Sequence, residues 1–199
     1  MEEETDTWQA QLEQLQTPSM QLLTAFVEQV RETREEAVPY PDSYDGGTEA
    51  QILLLLEAPG RRAVTSGFVS MDNPDGTARN LRGILEEVGL ERSNLVIWNI
   101  IPWYIGTDEK IRAATRRDVR EGLERLGDFL NLLPDLSAVV MMGRKAQQAR
   151  AFFEATHPDL RLLETFHPSN QALTFDKSRR PHIAKTLQKA KALLGKPHS

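Results

Sequence analysis

Apolar positions recur along this chain with two periods, and the switching between them predicts the fold. Thr17-Pro18 reads as a helix cap followed by proline at the first helical position. Met20, Leu22, Leu23, Phe26, Val27 and Val30 then recur at helical spacing as far as the acidic Glu35-Glu36. A loop of Pro, Asp, Ser and Gly between Pro39 and Gly47 leads into Ile52 to Leu56, a continuous apolar run of the kind found in a strand buried on both faces. The stretch from Arg61 to Gly76 has no period and predicts a long surface excursion; long loops in compact domains tend to be functional. Thr77 to Val88 carries Leu81, Ile84, Leu85 and Val88 on one helical face, with Gly89 as its stop.

The same alternation continues to the end of the chain. Leu95 to Ile101 predicts a second strand, followed by a rigid aromatic loop, Pro102 to Gly106. Thr115 to Leu133 is helical by its Val119, Leu123, Leu126, Phe129, Leu130 and Leu133 pattern, and Pro134 ends it. Ala138 to Met142 forms a third strand closed by Gly143, Lys145 to Thr156 a helix, Leu160 to Thr165 a fourth strand, and Arg179 to Leu194 a final helix. Strands alternating with helices predict an α/β fold, a three-layer αβα sandwich around a central four-stranded parallel sheet.

With 199 residues, 40% of them hydrophobic, the chain suffices for one compact domain spanning 1–199. Residues 1–16 are expected as a flexible acidic tail, and 17–50 as an N-terminal helix and loop. The absence of cysteine removes disulfides, thiolate catalysis and thiolate-held clusters, and the four scattered histidines lack zinc-ligand spacing. No cofactor or metal is therefore expected. Neither an export signal nor an apolar run of membrane-spanning length is present, so the expected location is cytoplasmic.

The net charge of -5 is unevenly placed. Residues 1–50 hold twelve acidic side chains against Arg31 and Arg34, a balance of -10 that leaves +5 for the remainder. From Lys177 onward stand Lys177, Arg179, Arg180, Lys185, Lys189, Lys191 and Lys196 with no acid among them. These suit phosphate contacts, although a solvated helix face accounts for the same residues.

Polar side chains terminate three of the apolar runs: Glu57 after Leu53 to Leu56, Asn99 after Leu95 to Trp98, and His167 shortly after Leu160 to Thr165. In an open parallel sheet the carboxyl ends of the strands share one edge, where ligands bind. Together, Glu57-Ala58-Pro59-Gly60, Asn99 and His167-Pro168-Ser169-Asn170 suggest a pocket for a nucleic-acid base.

These motifs resemble the uracil-DNA glycosylase superfamily from about residue 50 to 194, most closely the bacterial and archaeal group whose first motif reads Gly-Glu-Ala/Gly-Pro-Gly. Here that motif stands as Leu56-Glu57-Ala58-Pro59-Gly60, with Leu56 in place of the leading Gly. Gly67-Phe68-Val69 matches the end of a segment whose Phe stacks on the flipped base. Asn99 matches the Asn that reads the uracil edge, and His167-Pro168-Ser169 matches the final motif, whose loop enters the minor groove in relatives. Relatives in this group often hold an iron-sulfur cluster on four cysteines, which this chain lacks. The arginine-rich insertion of a covalently trapping branch is also missing before His167, so covalent capture of DNA is not expected. Where some branches carry an Asp that activates water, this chain has Ala58.

The resemblance implies a monofunctional uracil-DNA glycosylase of base excision repair, acting as a monomer on uracil-containing single- or double-stranded DNA and leaving an abasic site. In that reading Glu57 and His167 are catalytic, and Ala58, Pro59, Gly60, Phe68 and Asn99 bind the base. Ser169, Asn170, Gln171, Lys177, Arg179 and Arg180 contact DNA, with Gln171 to Leu173 filling the gap left by the flipped nucleotide. The alternative is a non-catalytic or weakly active base-binding member of the same fold, to which Ala58 points. A nucleotide hydrolase on a similar sheet ranks last, because no Gly-rich phosphate loop is present.

Overall fold

The computed structural model describes residues 9–107 and 112–195. Its elements in chain order are α1 (Pro18–Glu32), β1 (Tyr40–Pro41), β2 (Ile52–Leu56), α2 (Arg61–Ser66), β3 (Phe68–Val69), α3 (Gly76–Val88), β4 (Leu95–Asn99), α4 (Arg116–Leu130), β5 (Ala138–Met142), α5 (Arg150–Thr156), β6 (Arg161–Thr165), α6 (Asn170–Phe175) and α7 (Arg179–Lys191). The central sheet has four parallel strands in the order β4-β2-β5-β6. Its register pairs Leu56 with Asn99 and Met142 with Thr165, so the carboxyl ends form one edge.

Strands β2, β4 and β5 are buried at every position, which explains why their sequences run apolar without alternation. Their side chains still alternate in direction. Leu53, Leu55, Val96, Trp98, Val139 and Met141 pack with α1, α4 and Phe153, where Trp98 stacks on Phe129 at 4.6 Å between ring centres. Ile52, Leu54, Leu56, Leu95, Ile97, Val140 and Met142 pack with α3 and α7. The result is a three-layer α/β sandwich with a core on each face of the sheet. Among the described residues no helix is long and apolar enough to cross a membrane.

Local signals set the helix ends that matter for the site. The Asp75 side chain caps α3 by accepting from the Ala78 amide at 3.0 Å, and Gly89 ends that helix in the left-handed conformation at φ 65°. Thr115 and Asp118 form a capping box on α4, and the Arg112 guanidinium beside Asp118 holds its carboxyl far below the usual range.

Three segments depart from the sequence reading. The excursion over 61–76 contains α2 and β3, and β3 adds a small parallel ladder to β1 through Tyr40 and Phe68. Neither element is long enough to display a period. The loop after His167 contains α6, capped by Ser169, whose hydroxyl accepts from the Ala172 amide at 3.3 Å. Residues 9–16, expected within a flexible tail, pack on the 42–45 loop: Gln11 donates to Asp42 at 3.0 Å, and Leu15 is buried. Residues 1–8 of that tail, and Lys196 of the basic stretch, lie outside the described residues. In the aromatic loop, Trp103 is fully buried under the Arg34 guanidinium, which places it in the core.

Candidate active site

At the carboxyl edge of the sheet, on the side covered by α3 and α7, lies a cavity of about 500 Å³, within the range of small-molecule sites. Leu56, Ala58, Pro59 and Gly60 form one wall and Ile97 and Asn99 the floor. Ser70, Asn73 and Asp75 come from the 69–76 loop, and His167, Ser169, Asn170 and Gln171 close the far side. Residues separated by more than a hundred positions thus meet at one place, as the shared strand edge requires.

Asn99 is the last residue of β4 and only 2% exposed. Its Nδ2 is buried with no hydrogen-bond partner among the described residues. An unsatisfied buried amide costs about 1–3 kcal/mol unless a ligand completes it. Asn99 lines the cavity, and its side chain carries one amide donor group and one acceptor.

His167 is held on the opposite wall. Its Nδ1 accepts from the Ser169 amide at 3.2 Å, which assigns the ring proton of the neutral form to Nε2. Burial lowers the imidazole pKa from its ordinary value, and the nearby Asp75 charge opposes that shift without cancelling it. The ring therefore stays neutral near pH 7 and offers an N–H donor.

The loop carrying His167 is fixed from two sides. The Asn80 amide, one turn into α3, donates to the Pro168 carbonyl and to Asn170 Oδ1, both at 2.9 Å. A Cβ on Gly76 would overlap the Asn170 side-chain amide, which would have to swing away from the start of α3. Below it, the Gly143 and Gln147 N–H groups donate to the Thr165 carbonyl at 2.8 and 2.9 Å. Gly143 has φ +95°, and a Cβ there would stand 3.0 Å from that of His167.

Several residues expected at the site lie elsewhere. Phe68 is fully buried, packs on Tyr40 at 5.9 Å between ring centres, and is absent from the cavity wall. The half-buried Glu57 is also off the wall, although its neighbours Leu56 and Ala58 are on it. Leu173 is partly buried against the core shared with α3 and α7, whereas Gln171 is exposed and lines the cavity. Arg180 pairs with Glu87 at 3.1 Å and Arg179 donates to the Ala172 carbonyl at 3.3 Å, while Lys177 is exposed. The structure adds Asp75, Ser70 and Asn73 to the wall, together with Arg61 and Arg62 from the start of α2. The consecutive arginines directly after Pro59-Gly60 were the available sequence signal for the last two.

Among the described residues no three His, Cys, Asp or Glu side chains converge as metal ligands.

A sheet with this order, and a cavity closed by an Asn at one strand end and a His-Pro-Ser loop at another, accord with the family comparison. The sequence matches the uracil DNA glycosylase superfamily over residues 44–191, and the chain belongs to that family. Among solved structures it resembles SMUG2 of Pedobacter heparinus, with a TM-score of 0.57 at 13% identity, covering 89% of this chain and 85% of that one. It also resembles a Methanosarcina acetivorans protein, described as a candidate uracil DNA glycosylase, with a TM-score of 0.48 at 14% identity over 72% of this chain and 92% of that chain. No curated protein matches it by sequence.

Proposed function

We propose that the protein is a monofunctional DNA glycosylase that hydrolyses the bond between uracil and deoxyribose and leaves an abasic site. The observation that carries this reading is that Asn99, whose buried Nδ2 has no hydrogen-bond partner among the described residues, lines the same cavity as the imidazole of His167. A base inside a duplex is inaccessible at its sugar carbon, so the nucleotide must first be flipped at a cost of a few kcal/mol.

In the cavity the Asn99 amide donates to a uracil carbonyl and accepts from the ring N–H. Cytosine presents the opposite pattern and leaves the buried amide unpaired, the situation in which a polar site discriminates strongly. As the glycosidic bond breaks, its electron pair passes to the base and negative charge grows on a uracil oxygen. His167 Nε2–H donates to that oxygen without itself losing a proton. Water attacks the sugar carbon and gives up its proton. Asp75, with one oxygen on the Ala78 amide, supplies a carboxylate on the wall for that proton and for the positive charge on the sugar. Glu57 is the second candidate for the same role. Arg61, Arg62, Ser169 and Asn170 flank the cavity and suit the phosphates on either side of the flipped nucleotide.

The test is incubation of the protein, in chelator, with single- and double-stranded oligonucleotides containing one uracil, followed by alkaline cleavage of abasic sites. Strand scission is expected, and His167→Ala should slow it by about 10²–10³-fold, as loss of an oxyanion donor does. Asn99→Ala should lose both rate and discrimination against cytosine. Asp75→Asn should cost more than Glu57→Gln; the reverse order assigns the carboxylate to Glu57. No scission by the folded wild-type protein, with uracil-dependent binding retained, would establish the non-catalytic alternative.

A further inference from the structure

The helix that starts at the cavity wall with Asn170 ends on a feature to which this chemistry assigns no role. Phe175, the last residue of α6, is 81% exposed, the most exposed of the large apolar side chains described. A single exposed apolar residue is ordinary. Phe175 is not isolated: the Arg179 guanidinium lies over its ring at 5.1 Å and over the ring of Phe166 at 4.9 Å, and Phe166 in turn meets His182 edge-on at 5.0 Å. Phe166 immediately precedes His167, and α6 begins at Asn170, whose side chain lines the cavity. The aromatic pair bridged by arginine therefore brackets the catalytic loop in sequence, and the exposed Lys177 lies two residues beyond it.

Every nucleobase has a π-face, and exposed aromatics interleaved with cations bind unpaired bases by stacking while the cations meet the phosphates. Resting on the reading of the cavity given above, we infer that Phe175 is a stacking surface for an unpaired base flanking the one in the cavity, with Arg179 fixing the ring and Lys177 facing the backbone. The occupant is single-stranded nucleic acid. The stack belongs to the same loop as His167, so a strand held on Phe175 delivers its neighbouring nucleotide to the site.

The test is equilibrium binding to single-stranded oligonucleotides carrying a cleavage-resistant 2′-fluorinated deoxyuridine with 2-aminopurine on its 5′ or 3′ side, a base whose fluorescence is quenched by stacking. The wild-type protein should change the quenching of one of the two probes. Phe175→Ala should weaken binding about tenfold, the scale of a base–aromatic stack, and abolish that change. Phe175→Trp should keep both, and Phe175→Leu, which retains apolar bulk without a ring, should behave as Ala. Because Phe175 is exposed, these variants should fold, and circular dichroism checks that they do. Wild-type affinity and fluorescence in Phe175→Ala, or in Phe175→Leu, would overturn the inference, as would a wild-type protein that does not bind single strands. Oligonucleotides with thymine at the central position separate the two readings. Equal loss on uracil and thymine probes, with no preference for uracil, sustains the stacking surface and refutes the uracil pocket; a uracil preference untouched by Phe175→Ala does the reverse.

Discussion

The most demanding energetic feature lies behind the cavity wall, where Arg92 ties three carboxylates together. Its guanidinium meets Asp42 at 2.6 Å, Asp45 at 3.1 Å and Asp72 at 2.9 Å. The side chains of Asp42 and Asp45 are fully buried, whereas Asp72 is more than a third exposed and contributes at most about 1 kcal/mol. Arg92→Met keeps the alkyl packing and removes the positive charge that balances two acidic side chains buried away from water. Breaking a buried pair in this way costs about 3–5 kcal/mol. At roughly 2–4 °C per kcal/mol for a chain of this size, the melting temperature should fall by about 6–20 °C at neutral pH.

The loss should depend on pH with a defined sign. Burial, and then the neighbouring Asp42, already push the Asp45 carboxyl well above its ordinary value, with Arg92 pulling the other way. A carboxyl whose folded pKa exceeds its unfolded one favours the native state below the unfolded value, and that contribution disappears as pH rises through the folded value. Without Arg92 the shift grows, so the deficit against wild type should be largest at pH 7.5 and should shrink at pH 4.5. Adding Asp45→Asn to Arg92→Met should recover part of it. Melting followed by circular dichroism at both pH values measures this directly. A fall of less than about 3 °C at pH 7.5, or one of equal size at pH 4.5, would refute the account of the junction. Because Ser70 donates to Asp42 and also lines the cavity, the same substitution should raise the KM for substrate.

Two further outcomes test the loop that carries His167. Desolvation lowers the imidazole pKa, so its NMR titration midpoint should fall below 6.5, and uracil release should persist at acidities where an ordinary histidine is charged; a midpoint at or above 6.5 contradicts the neutral donor. Asn80→Ala removes two hydrogen bonds that hold the loop, each worth about 0.5–1.5 kcal/mol, and should lower kcat by roughly tenfold with little change in KM. Asn80→Asp, which sets a carboxylate against two acceptor oxygens, should be worse than Ala; wild-type kcat in either variant would remove Asn80 from the positioning of His167.

What was legible in the sequence, and what was not, follows from one geometric rule. Strands buried on both faces announce themselves as apolar runs, and a parallel sheet puts their carboxyl ends together. The meeting of Asn99 and His167 was therefore readable from order alone. Which way a side chain points at a strand end depends on the two-residue period and on which face the ligand occupies. The cavity opens on the face covered by α3 and α7, the face of Leu54, Leu56 and Ile97. Asn99, the last residue of β4, shares the parity of Ile97 and lines the cavity; past the end of β2 the alternation is lost, since Ala58 and Pro59 both line the cavity and Ala58 also packs against the α1 and α4 core. Glu57, one residue past the end of β2, is off the wall, and strand parity does not reach it. Phe68 and Val69 repeat the division: Phe68 joins the core on the α1 and α4 side, whereas Val69 lines the cavity. The continuous apolar runs that reveal such strands also conceal their faces, because neither face alternates with polar residues. Short elements hid the rest: α2, β3 and α6 have too few residues for any period to emerge, yet α2 carries Arg61 and Arg62 to the cavity wall and α6 begins at Asn170 on that wall. Asp75, the carboxylate that does line the cavity, owes its position to capping α3 and not to ending a strand.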